Sequence, residues 1–145
     1  MRFSSLATGV ILGLASTPAL PQTTLGELVD GGGKKLSKAE VVEILGGAKL
    51  SGPTKAGGTF QADFKTDGTF TGSFQSPQGK GGGMFGAWAV DETGKVCTEF
   101  TNSRSEGTTG KLSNCAFWYK KDSDYFISDS DSDRSAALLR RSVKK

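Results

Sequence analysis

Residues 60–74 read Phe-Gln-Ala-Asp-Phe-Lys-Thr-Asp-Gly-Thr-Phe-Thr-Gly-Ser-Phe, and this stretch decides the fold. Phe60, Ala62 and Phe64 alternate with Gln61 and Asp63. That is the period of a strand with one apolar and one polar face. Asp67-Gly68 is a hairpin turn signal, and Phe70, Gly72 and Phe74 resume the alternation on the return strand. Working outward, Met84, Gly86, Trp88 and Val90 keep the same period. Short apolar segments follow at 96–100, 115–119 and 125–127, separated by polar turns at 91–94 and 121–124. Strands at turn spacings of about 8 to 15 residues predict a mainly β fold, an antiparallel sheet or small barrel of six to eight strands. Residues 137–143 fit either a last strand or a short helix.

Upstream, one short N-terminal helix is predicted over 37–45. Ser37 and Glu40 have capping-box spacing, Val41, Val42, Ile44 and Leu45 supply an apolar face, and Gly46-Gly47 stops it. At this length the helix needs a packing partner, so it is expected on the sheet or plugging it. Thr24 and Glu27 have the same spacing and can start one helical turn before Gly31, Gly32 and Gly33 stop it, but residues 20–35 otherwise read as a flexible leader. Residues 1–19 read as a signal peptide: Arg2 gives a positive start, Leu6 to Leu14 an apolar run, and Thr17 and Ala19 a cleavage site. The remainder, 36–145, reads as a single β domain without a membrane span, and the expected location is periplasmic or secreted. In an oxidising compartment an even cysteine count favours a disulfide, so Cys97 and Cys115 are expected to bridge neighbouring antiparallel strands.

Composition narrows the chemistry. The 145 residues include no histidine, which removes imidazole bases and histidine metal ligands, and two cysteines cannot make a four-thiolate zinc site. A net charge of +3 without interleaved aromatics in its basic tail gives no nucleic-acid surface. No cofactor is expected. Asp63, Asp67, Asp91, Glu92 and Glu99 are the candidate acid–base groups, but their spacing selects no pair across a cleft.

Asp129, Asp131 and Asp133 alternate like the opening of a calcium loop, with Arg134 where a glycine is wanted and Arg140 where a bidentate glutamate is wanted. The basic residues Arg140, Arg141, Lys144 and Lys145 lie beside that run and are expected to pair with it. Trp88, Trp118 and Tyr119 are candidate ligand contacts if a barrel opens at one end, and core residues otherwise. Gly81, Gly82 and Gly83 belong to a glycine-rich stretch, 78–83, expected to be a loop that gates such a pocket. Both faces of 117–119 are aromatic, so one face needs a cover: the helix, a ligand or a contact partner.

One series of residues also carries a likeness. Gly86-Ala87-Trp88-Ala89-Val90-Asp91, then Gly94-Lys95-Val96-Cys97, then Cys115 with Phe117 to Tyr119, and Asp124-Tyr125 resemble a family of small exported proteobacterial proteins. In that family a Gly-x-Trp-x-Val strand, a turn and a cysteine strand precede a second cysteine strand. The likeness spans residues 37–127. It implies a lipocalin-like fold and an exported location, and no activity, since the family is a domain of unknown function. The functional expectation is therefore an exported, non-catalytic binding protein for a small apolar ligand or a protein partner. The alternative is an inhibitor of a hydrolase such as lysozyme or a protease, with a carboxylate-based hydrolase third.

Overall fold

The computed structural model describes residues 23–101 and 112–145. Helix α1 (Leu25–Asp30) and the two-residue strand β1 (Lys34–Lys35) lead into helix α2 (Lys38–Leu45). Eight strands follow: β2 (Ala48–Pro53), β3 (Thr59–Phe64), β4 (Thr69–Gln75), β5 (Gly81–Val90), β6 (Lys95–Phe100), β7 (Leu112–Lys121), β8 (Asp124–Ser128) and β9 (Leu138–Lys144). All pair antiparallel in sequence order from β2 to β9, and β9 returns to pair with β2. The eight strands thus close an antiparallel barrel, as the alternation predicts, consistent with the lipocalin-like fold that the resemblance implies. Residues 137–143, ambiguous by period, are settled as strand from Leu138 onward.

The meander turns by one repeated device. At residues 65–68, Gly68 N donates to Lys65 O at 3.1 Å and Lys65 N to Thr69 O at 2.8 Å, with Gly68 at φ +88°. At 91–94 the same pair of bonds recurs, with Gly94 at φ +84°. Each turn is locked by its aspartate: Asp67 Oδ1 accepts from Thr69 N, and Asp91 Oδ1 from Thr93 N, both at 2.9 Å. A left-handed residue at the fourth position suits glycine, since a Cβ is penalised there.

Inward residues form one core. Phe64 stacks on Phe70 at 5.3 Å between ring centroids, and Phe70 meets Phe100 edge-on at 5.3 Å. Val41 and Leu45 of α2 join this cluster together with Leu36, Val96 and Trp118. The helix is capped by Ser37 and Glu40 as expected, and it covers one end of the barrel. Lys145 Nζ donates to Glu43 O and Gly46 O at 2.6 and 2.7 Å, fastening β9 to the end of α2. A cation here also complements the helix C-terminus.

The stretch read as a flexible leader is structured from Thr23 on. Its capping signal at Thr24 starts α1, and Leu25 and Leu28 are buried against Phe117, Tyr119 and Phe126 on the outside of the barrel. Among the described residues two short helices thus precede the barrel, the second being the one expected over 37–45. The outer aromatic face of β7 is covered by α1, while α2 sits at the barrel end. Backbone bonds stitch α1 to the segment before β9: Leu25 N to Ala136 O, and Gly26 N to Arg134 O, each 2.9 Å. The expected signal peptide, 1–19, lies outside the described residues. Among the described residues, no helix is long and apolar enough to cross a membrane.

Candidate ligand-binding lumen

Opposite α2 the barrel holds a cavity of about 520 Å³, within the range of roughly 300–1,000 Å³ for small-molecule sites. Strand alternation supplies its wall, because every second residue of each strand must point inward. Phe64, Phe70, Met84, Val96, Phe100 and Trp118 make its apolar lining. Away from α2, Thr54, Lys55 and Ala56 of the β2–β3 connection line it with Thr101 and Asp129. Lys55 Nζ lies 2.6 and 2.7 Å from the two Asp129 oxygens and joins the β2–β3 connection to the segment after β8. Phe74 and Phe85, also in the lining, remain 46% and 42% exposed, so the rim is apolar.

Of the candidate contacts, Trp118 does line the lumen and is 4% exposed. Trp88 points inward but lies outside that lining. Its indole Nε1 donates to Lys65 O at 3.0 Å and its ring packs 5.8 Å from Phe64, so it is part of the core. Tyr119 is on the outer face beneath α1, where burial and the nearby Asp131 push its hydroxyl pKa up. The expected gating loop is shorter than predicted: Gly81, Gly82 and Gly83 begin β5, in register with Gln75, Phe74 and Ser73. Their backbone groups complete the ladder without needing side chains. Gly83 lines the lumen, whereas Gly81 and Gly82 border a separate groove with Ser73 and Gln75.

The calcium candidates do not converge. Asp129 binds Lys55, Asp131 binds Lys35 at 2.8 Å, and Asp133 Oδ1 accepts from Ser135 N and Oγ at 3.0 and 2.7 Å. Among the described residues no group of three potential ligands could hold a metal ion. Nor does the acidic run pair with the basic tail as expected. Arg140 reaches Asp124, Lys145 caps α2, and the run takes its cations from Lys35 and Lys55.

Arg141 was the residue missed. It stands at an inward position of β9 and lines the lumen beside Leu139. Burial pushes its pKa down to about 10, which leaves it a cation at neutral pH. The signal was available as alternation: Leu139, Arg141 and Val143 share the inward face of one strand. Cys97 and Cys115 form a disulfide between register partners of β6 and β7.

No protein-family model, curated protein or solved structure matches this chain.

Proposed function

We propose that the protein is an exported, non-catalytic carrier whose barrel lumen holds one small apolar ligand. The observation that carries this reading is the aromatic-lined cavity of about 520 Å³, covered by α2 at one end and lined by Lys55 and Asp129 toward the other. Export is supported by the Cys97–Cys115 disulfide, which needs an oxidising compartment, together with the signal-like residues 1–19. The likeness to small exported proteobacterial proteins points the same way. The non-catalytic reading is supported by the lining itself: Asp129 is its carboxylate among the described residues, and Lys55 already neutralises it. A hydrolase using two carboxylates would need a facing pair.

Native mass spectrometry of the protein recovered from the exported fraction tests this. The expected spectrum is a chain shortened by the signal, two hydrogens lighter for the disulfide, and carrying extra mass that denaturation releases. Fluorescence assigns the site: Trp118→Phe should abolish the ligand-dependent change in emission, and Trp88→Phe should retain it. A full-length, reduced chain would overturn the export reading. An empty lumen that also binds no added amphiphile would overturn the carrier reading. The alternative, an inhibitor of a hydrolase, is favoured by the exposed Phe74 and Phe85 on the rim. It would be marked by an empty chain that co-purifies with its enzyme.

A further inference from the structure

An arginine on the inward face of a strand is costly, because a buried guanidinium loses hydration that only a counter-charge and hydrogen bonds restore. Among the described residues, Arg141 has the hydrogen bonds and lacks the counter-charge. Its Nη1 donates to Pro53 O at 2.7 Å and Arg140 O at 3.0 Å, and its guanidinium carbon lies 4.8 Å above the Phe60 ring. No ion pair to any described carboxylate accompanies these bonds. The other charges in the lining, Lys55 and Asp129, neutralise each other. The described lumen wall therefore carries one uncompensated positive charge in an otherwise apolar setting.

The fold also makes room for this side chain. A Cβ at position 52 would lie 2.6 Å from Arg140 O and 3.0 Å from Arg141 Nη1, so glycine is what lets the guanidinium lie against β2. With Nη1 anchored on two backbone carbonyls, the plane of the group is fixed. Nε and Nη2 hydrogen-bond to none of the described residues, and a guanidinium edge with two free donors matches a carboxylate in a two-point contact.

We propose that Arg141 is the ligand's counter-ion, and that the lumen takes a single-tailed amphiphile with its carboxylate on Arg141 and its hydrocarbon chain along the aromatic wall of Phe70, Phe100 and Trp118. This rests on the carrier reading and specifies the chemistry of its ligand. The apolar wall accounts for the tail and Arg141 for the head. A neutral ligand of the same shape would leave this half-buried cation unpaired.

The test compares dodecanoate with dodecanol, which share a chain and differ in head-group charge, titrated into the full mature protein and followed by Trp118 emission. Dodecanoate should bind at least about tenfold more tightly, as expected for a charge-assisted hydrogen bond. Arg141→Gln should bring dodecanoate down to the level of dodecanol, and Arg141→Lys, which keeps the charge without the fork, should retain part of the preference. If Arg141→Gln does not fold, the wild-type ratio and Arg141→Lys decide. Equal binding of acid and alcohol to the wild type, or an acid preference surviving in Arg141→Gln, overturns the assignment of Arg141 and leaves the carrier reading standing. Failure of both probes to bind overturns the carrier reading and this inference with it.

Discussion

The Phe70 ring occupies the space that a side chain at Gly86 would need. The two are register partners across β4 and β5, and a Cβ at 86 would sit 2.9 Å from Phe70 Cζ and 1.9 Å from the Glu99 carbonyl oxygen. Glycine therefore lets the tip of the Phe70 ring come up against the neighbouring strand. Gly86→Ala should destabilise the fold by about 1–3 kcal/mol through overpacking, read as a lowered urea midpoint. A variant as stable as the wild type would show that β5 and β6 do not approach this closely.

Reduction of the Cys97–Cys115 bridge should leave the barrel assembled but weaker. The bond joins residues 18 apart in sequence, and in the chain-entropy model a loop of that size contributes about 3 kcal/mol. The paired variant Cys97→Ser/Cys115→Ser should show that loss in denaturant unfolding while keeping wild-type far-ultraviolet circular dichroism. Loss of all β signal at room temperature would mean that the bridge is required for folding itself.

Leu28 is fully buried, although it belongs to a helix of six residues. Its partners are Phe117, Tyr119 and Phe126, so Leu28→Ala should cost about 2–5 kcal/mol and loosen the cover over that outer face. Amide hydrogen exchange should rise in α1 and β1 before it rises in β3 and β4. Uniform exchange across all strands would show that α1 unfolds only with the whole barrel.

The protein should be indifferent to pH across the neutral range and weaken in acid. It has no histidine, and several exposed aspartates are held below the usual carboxylate range. Hydrogen bonds from Arg134 do this for Asp30, from Thr69 for Asp67, from Thr93 for Asp91, from Lys35 for Asp131 and from Ser135 for Asp133. Groups whose pKa is depressed on folding add stability above their unfolded pKa of about 4, and lose it as pH falls through the lower folded value. The urea midpoint should thus be flat from about pH 5 to 8 and fall below about 4, with a shallower fall in Asp91→Asn. A midpoint that drops between pH 5 and 8 would contradict this.

What could be read in advance followed from side-chain period and turn chemistry. The hairpin of Phe60 to Phe74 is legible because large apolar residues mark the inward face and Asp67-Gly68 marks the turn. The start of β5 is not, since Gly81, Gly82 and Gly83 have no side chains with which to display a period, although their backbones pair fully with β4. Helix α1 is too short to show amphipathicity, yet the need for it was visible in the two-sided aromatic segment Phe117, Trp118 and Tyr119. By charge alone Arg141 belongs to a basic cluster with Arg140, Lys144 and Lys145, whereas alternation puts it on the inward face. The inward neighbours Leu139 and Val143 define its environment better than the adjacent Arg140, which faces outward to Asp124.

The strand that closes the barrel, β9, lies between β2 and β8 and follows every other described strand. While the polypeptide emerges from its N-terminus, the seven barrel strands β2 to β8 can form only an open, curling sheet with two unsatisfied borders. Until residues 138–144 arrive, such a chain exposes both its aromatic interior and free backbone edges, the features that invite self-association. Assembly is thus timed by the C-terminal segment, and a chaperone that holds the growing chain extended would have its greatest effect just before that segment appears.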